Sequence, residues 1–453
     1  MPPLDKEIIT TLKRLLLNPQ LNQFMELVTQ MRQGTSKVRD WESINSPNSN
    51  MLVDSLSLAE PVDSDCSRNY SRLVIGKLNG GLGTSMGCSG PKSLIKVRGE
   101  KTFLDLIVTQ ITELNAKWQK EIPLMLMNSF STDKETQGFV ENCGLAIIGF
   151  QQNRFPRLDE DSLLPLDPKE FGEETWYPPG HGDFYSCIQQ QGILDQLIGQ
   201  GKDILFMSNA DNLGAVADSK ILHYMIEKKV PFLMEMTPKT PADVKGGTLY
   251  EQNGKLKLLE IAQVPDDHLD EFCSQEKFSV FNTNNIWINL VALQKRMNEG
   301  PLNLNVVVNR KKLQGKSVVQ LETAIGSALD CFEGAVGLSV SRDRFLPVKN
   351  TDDLLLVQSN LFNLKGGRLV RNKERTISHL PAIKLGAPLQ QVDAFQRCFS
   401  SIPDLLELEE LDMAGQICFE GTASLKGKVK LNGLKGPLVV VAGSEIKNES
   451  IEG

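Results

Sequence analysis

The sequence predicts an α/β protein, on three observations. From Arg72 to about Val348, strand-like and helix-like stretches alternate, the pattern of a mostly parallel, helix-covered sheet. The first strand-like run, Arg72–Gly76, leads straight into a glycine-rich stretch. The texture then changes on both flanks, to helical spacing before residue 31 and to short apolar runs separated by glycine after Ile417. With 453 residues the chain exceeds the ~250–300 at which single cores stop growing. Three units are expected: an N-terminal helical arm over 1–70, the α/β domain over 71–348, and a C-terminal helix and β domain over 349–453.

In chain order, Ile8, Ile9, Leu12, Leu15, Leu16, Leu21, Phe24, Leu27 and Val28 recur near helical spacing and are interrupted at Asn18-Pro19, which predicts two short helices. Residues 34–70 turn to Ser, Asn, Pro and Asp and read as a connecting arm over the larger domain. Strands follow at Leu73–Ile75, Leu124–Met127, Ala146–Phe150 and Ile204–Ser208, with helices through Thr102–Leu114 and from near Thr132. GTLYEQNGKLKLLEI places two strand-like runs around Asn253-Gly254, the dipeptide of a type I′ hairpin. Thr351–Leu364 has helical spacing, and SLKGKVKLNG and PLVVVAG read as strands of a small β-helix or sandwich.

Leu78–Ser93, LNGGLGTSMGCSGPKS, is the chemically informative stretch. Glycines at 80, 81, 83, 87 and 90 let backbone N–H groups approach a phosphate or a base, and Lys92 stands just beyond them. A Walker loop needs Gly before its Lys, and Pro91 stands there; a dinucleotide fingerprint needs G-x-G-x-x-G, and Gly81, Gly83 and Gly87 are one residue out of step. A tight connection and a nucleotide polyphosphate site both fit this spacing.

Composition excludes several classes. Charged residues make up 23%, and no window offers ~18 uninterrupted apolar residues, so no membrane span is expected. MPPLDKEIIT has no positive region followed by an apolar segment, so no secretory signal is read and a cytoplasmic location is expected. Eight cysteines without a C-x-x-C pair argue against a zinc ribbon or a disulfide framework. Four dispersed histidines suggest no histidine metal cluster, and a net charge of −7 disfavours nucleic acid as a partner. Taken singly, Lys92 and Lys349 fit solvated lysines, Asp211 an Asx turn, Gln152 a surface amide and His181 a structural histidine.

The glycine stretch, together with GFQQNRFPRL (149–158), WYPPGHGD (176–183), SNADNLGA (208–215), ADVKGGTL (242–249), LLEIAQVP (258–265), FNTNNIWI (281–288) and RDRFLPVK (342–349), resembles the UTP–glucose-1-phosphate uridylyltransferases of the eukaryotic type. These stretches cover nearly the whole central unit in the family's order. The resemblance implies a GT-A-like, Rossmann-like nucleotidyltransferase domain with an N-terminal helical portion and a C-terminal left-handed β-helix. It implies reversible formation of UDP-glucose and pyrophosphate from UTP and glucose 1-phosphate, by in-line displacement at the α-phosphorus. Lys92 and Lys349 match the family's cations beside the phosphates, and Asp211 its Mg²⁺ ligand, with Asn209 and Ala210 beside it. Leu78, Asn79, Gly80, Gly81, Gln152 and Gly180 match the UTP-binding positions, with Gln152 facing uracil. His181, Gly247, Glu260, Asn282 and Asn284 match the sugar-phosphate side.

Three other readings stay open at this point: a pyrophosphorylase for galactose 1-phosphate or an N-acetylhexosamine 1-phosphate, a scaffold retaining the pocket without turnover, and a dinucleotide oxidoreductase. The resemblance also implies a homo-oligomer through the C-terminal domain, although this chain stops at IKNESIEG, before an apolar terminal segment often found in the family.

Overall fold

The computed structural model describes residues 3–34, 38, 40–240 and 243–453. Ala242 of ADVKGGTL and part of the expected arm fall outside the described residues. The central sheet has eight strands: β1 Leu52–Asp54, β2 Leu73–Asn79, β3 Leu124–Asn128, β4 Ile147–Gln151, β5 Ile204–Asn209, β6 Phe232–Pro238, β7 Val280–Asn289 and β8 Val336–Ser339. Their order is β1-β8-β6-β7-β5-β2-β3-β4, and β7 alone runs antiparallel to its neighbours β5 and β6.

The central strands are buried on both faces, which is why LVIGKLN, LMLMN and ILFMSN read as near-continuous apolar runs rather than as alternations. Leu73 and Ile75 of β2 point into one core and Val74 into the other, as the two-residue period of a strand requires. The helix Phe103–Trp118 covers the first face. It starts at Thr102, whose hydroxyl accepts from the Asp105 amide while the Asp105 carboxylate accepts from the Thr102 amide. Helices Phe184–Gln190, Ile193–Gly199 and Leu290–Asn298 cover the second face.

From β2 the chain proceeds to β3 and β4 on one side and then crosses to β5 on the other. This reversal leaves a crevice outside the carboxyl ends of β2 and β5, where open α/β sheets bind ligands.

The N-terminal helices Pro3–Leu15 and Asn18–Gln33 form as expected, with Pro19 in the first turn of the second. Ile8, Leu12, Phe24 and Leu27 bury against Phe155, Tyr177 and Leu321. The hairpin Thr248–Gln252/Lys255–Leu259 also forms, and Asn253 and Gly254 have φ of 53° and 76°, as a type I′ turn needs.

Three expectations need correction. The segment 34–70 is more than a connection, because Leu52–Asp54 pairs with β8 and forms the edge of the sheet. The helix from Thr351 ends at Gln358; Phe362–Lys365 is instead a strand paired with Arg368–Arg371 across Gly366 and Gly367, both at positive φ. The apolar spacing there arises from a helix followed by a hairpin. C-terminal strands begin well before Ile417, at Ala382–Leu385 and Leu408–Glu420.

These C-terminal strands stack in parallel, each one turn further along a coil. Ile383 lies opposite Leu411, Leu411 opposite Val429 and Leu431 opposite Ile451. Their inward side chains, Leu408, Leu411, Met413, Phe419, Leu425 and Val429, belong to the same continuous core as Leu73 and Phe103.

Candidate active site

The crevice at β2 and β5 opens into two adjoining lobes. One, of about 370 Å³, is lined by Leu78–Leu82, Lys92, Gln152, Gly180, His181, Asn209, Ala210 and Asp211. The other, of about 530 Å³, is lined by Gly247, Glu260, Asn282, Asn284, Phe345 and Lys349. Gly180, His181, Asn209, Asp211 and Glu322 border both. Every residue expected at the site from the sequence therefore lines one cleft.

In the first lobe, Gln152 follows β4 and is held by its amide to the Asn128 carbonyl at 2.8 Å. Its side-chain oxygen is buried without a hydrogen-bond partner among the described residues. An amide in that state is poised to accept from a ligand N–H while its NH₂ donates. Gly80 lies against it, where a Cβ would come within 2.5 Å of the Gln152 nitrogen, so a side chain there would push the Gln152 amide from its place. Asn79 contributes differently. Its buried side chain donates to Asn128 at 2.8 Å and to Thr136 at 3.0 Å, fixing the floor, and leaves the backbone to border the lobe.

The glycine loop folds back on itself through Gly83 N to the Gly90 carbonyl (3.3 Å) and Lys92 N to the Gly81 carbonyl (3.1 Å). That hairpin carries the Lys92 ammonium to the Asp211 carboxylate at 2.6 Å, both side chains 18% exposed. The same residue anchors the opposite wall, because the Asp211 carbonyl accepts from Val348 N at 3.3 Å. Lys349 comes next in the chain, exposed at the mouth of the second lobe, and its ammonium makes no hydrogen bond or short ion pair among the described residues.

Gly180 adopts φ of 81°, and a Cβ there would meet the Thr323 carbonyl at 2.5 Å, so the turn that presents His181 needs glycine. His181 Nδ1 accepts from Ile325 N at 2.9 Å, which places the proton of the neutral ring on Nε2. Burial pushes its pKa down to about 4, so it is a neutral donor at pH 7 and not a cation.

In the second lobe, Asn284 holds a left-handed φ of 58°, tolerated by Asn and maintained by two bonds. Its amide donates to Asn282 Oδ1 at 2.7 Å and its Nδ2 to Asn209 Oδ1 at 2.8 Å, joining the two lobes. Asn282 N in turn donates to the Gly247 carbonyl at 2.7 Å. Burial raises the pKa of the Glu260 carboxyl.

Several contributors were not legible in the sequence. Glu322 borders both lobes but comes from a strand, Lys316–Thr323, that carries no motif. Beneath the cleft, Lys77 is 1% exposed and donates to Ser208 at 2.7 Å and to the Ala215 carbonyl at 3.1 Å; burial, then the nearby Arg344 charge, lowers its pKa to about 7. A lysine two residues past the Leu73–Ile75 run was the available signal, and the strand running on to Asn79 hid it. Arg344, unassigned from the sequence, forms a bidentate pair with the fully buried Glu235 at 2.6 and 2.7 Å. Glu235 also accepts from Trp287 at 2.8 Å and Asn285 at 3.0 Å, and Asn212 bonds both Asn285 and the Arg344 carbonyl at 3.2 Å. This network ties the loop holding Asp211 to the loop holding Lys349.

Comparison with known proteins bears on the chain as a whole. The family model described as UTP–glucose-1-phosphate uridylyltransferase matches residues 21–426. UTP–glucose-1-phosphate uridylyltransferase 2 of Dictyostelium discoideum is 45% identical over 449 residues, covering 98% of this chain and 89% of its own. The uridylyltransferase of Hordeum vulgare is 46% identical over 437 residues, covering 95% of this chain and 92% of its own. Among solved structures, a point mutant of UDP-glucose pyrophosphorylase from Leishmania major in complex with UDP-glucose superposes with a TM-score of 0.88 at 30% identity, over 100% of both chains. A UDP-glucose phosphorylase from Trypanosoma brucei gives 0.85 at 33%, also over 100% of both. Matched along almost the whole chain by the family model and by these relatives, the protein belongs to the UTP–glucose-1-phosphate uridylyltransferase family.

Proposed function

We propose that this protein makes UDP-glucose and pyrophosphate from UTP and glucose 1-phosphate, reversibly, with the nucleotide in the lobe of Gln152 and the sugar in the lobe of Asn282. The single observation that carries the reading is the shared wall of Gly180, His181, Asn209 and Asp211 between the lobes, where two phosphates from different ligands would meet. An oxygen of the sugar phosphate bonds to the α-phosphorus of UTP as the bond to pyrophosphate breaks, and the electron pair leaves with pyrophosphate. No covalent enzyme intermediate is needed, so positioning and charge stabilisation dominate.

The residues divide that work by chemistry. The free Gln152 oxygen accepts from uracil N3–H while its NH₂ donates to O4, a pattern that cytosine reverses. The unpaired Lys349 ammonium meets the reacting phosphates, and Lys92 leaves Asp211 to hold the triphosphate and then the departing pyrophosphate. His181 donates from Nε2 to the sugar phosphate, and Asn282, Asn284, Glu260 and the Gly247 backbone bind glucose hydroxyls.

Asp211 fits Mg²⁺, which takes oxygen ligands, keeps waters and borrows phosphate oxygens, so one carboxylate suffices. When bound, the ion neutralises phosphate charge. The mostly parallel sheet supports a GT-A-like assignment for the central unit, and the parallel coil a β-helix at the C-terminus; its left hand, and a homo-oligomer through it, are what the resemblance implies. The expected location is the cytoplasm; no helix of the described residues is long and apolar enough to cross a membrane.

The test is pyrophosphate release with UTP, Mg²⁺ and a panel of sugar 1-phosphates. Release with glucose 1-phosphate above galactose and N-acetylhexosamine 1-phosphates supports the reading; UTP binding without release under any of them would leave a scaffold.

A further inference from the structure

Asp183 is 0% exposed, yet no cation lies within salt-bridge reach of it among the described residues. A buried carboxylate persists only where donors replace its lost water. Here four do: Asn153 N at 2.7 Å, Asn153 Nδ2 at 2.9 Å, Gln23 Nε2 at 2.9 Å and the Cys187 thiol at 3.1 Å. Gln20 Nε2 completes the cluster by donating to Asn153 Oδ1 at 2.8 Å.

The donors come from separate parts of the chain. Asn153 is the residue after Gln152; Asp183 ends the turn that presents Gly180 and His181, with its own amide on the Gly180 carbonyl at 3.3 Å; Gln20 and Gln23 belong to the second N-terminal helix. The carboxylate is thus the point where the base-reading amide, the phosphate-side turn and the N-terminal arm are locked together. Nothing in the cluster touches the cleft itself, since neither Asp183 nor Asn153 lines either lobe.

We propose that Asp183, with Gln20 and Gln23 of the N-terminal helix, is a positioning device for Gln152, so that the arm sets base selectivity from outside the cleft. Asn153 N and Nδ2 both donate to Asp183, and Nδ2 reaches Cys187 Sγ as well at 3.6 Å, which fixes the peptide following Gln152 and hence where its amide points. The three glutamine and asparagine side chains hold neutral, directional bonds, suited to setting an orientation rather than a charge. This inference rests on Gln152 as the reader of uracil, and the test separates the two.

The experiment measures dissociation constants for UTP and CTP, and the KM for glucose 1-phosphate, on the full chain carrying Gln20→Ala with Gln23→Ala, Asp183→Asn, or Gln152→Ala. The paired glutamine variant should lower the preference for UTP over CTP on the order of tenfold, as the loss of about one hydrogen bond's worth of alignment would, with the KM for glucose 1-phosphate unchanged. Asp183→Asn should lower the preference for UTP by as much or more, because its NH₂ would face donors, and should also raise the KM for glucose 1-phosphate, because it loosens the turn that presents His181. If Asp183→Asn fails to fold, the paired variant decides. A folded paired variant that keeps the UTP preference while Gln152→Ala loses it would overturn the positioning role. Should Gln152→Ala also keep the preference, the base-reading assignment falls, and the inference with it.

Discussion

At the scale of single residues, the pair Lys92–Asp211 is the most informative feature. At 2.6 Å each neutralises the other, so a phosphate that pairs with Lys92 must compete with the Asp211 carboxylate for it. Lys92→Ala should therefore raise the KM for UTP more than that for glucose 1-phosphate, by about 10–100-fold if one charge-assisted bond of ~1.5–3 kcal/mol is lost; steady-state kinetics with each substrate varied would check it. His181 gives a pH prediction. Its folded pKa of about 4 lies below the unfolded value near 6.5, so the folded state binds fewer protons between those pH values. Stability should then fall as pH drops through that window, by on the order of 1–2 kcal/mol for this half-buried ring, and His181→Asn should flatten that part of the profile in thermal melts. Activity near pH 7 should be insensitive to its titration.

Among elements, the connection between the loops after β5 and β8 matters most. The Arg344–Glu235 pair sits beneath both, with Glu235 fully buried, and Asn212 bridges them. Glu235→Ala would leave a guanidinium buried without its partner, costing about 3–5 kcal/mol in denaturant unfolding; a cost under about 1 kcal/mol would contradict this placement. The element scale also shows what the sequence could and could not carry. β2, β3 and β5 were readable because strands buried on both faces need continuous apolar runs, and the Asn253-Gly254 turn because positive φ restricts residue choice. The Arg344–Glu235 pair was not, since one arginine and one glutamate 109 residues apart give no local pattern and meet only because β8, which leads to Arg344, pairs with β6. The same holds for Glu322, and for Gln20 and Gln23, whose partners lie far along the chain. The edge strand Leu52–Asp54 was hidden in Ser- and Asn-rich text because three residues are too few for a period. Lys92, Asp211 and Gln152 were legible through whole motifs, and not through their own residue types.

For the molecule as a whole, the parallel coil and the central sheet share one core running from Leu58 to Ile446. A chain cut after Gln358 would expose Leu354, Leu355 and Val357 along with the first-face core, so the truncated protein should lose cooperative unfolding and aggregate, while the full chain melts in one calorimetric transition. Two well-separated transitions in the full chain would contradict a shared core. The cleft sits on the larger body, with the lobes fixed by strand ends and one cation, Lys349, supplied from the border with the C-terminal portion. Turnover in this cleft therefore depends on Lys349 acting on phosphates held elsewhere. The most direct test is Lys349→Ala, with pyrophosphate release and UTP affinity measured on the same folded protein. Turnover should fall by the equivalent of ~3–4 kcal/mol, about 10²–10³-fold, with UTP bound nearly as before; a folded variant turning over at the normal rate would refute the role of Lys349.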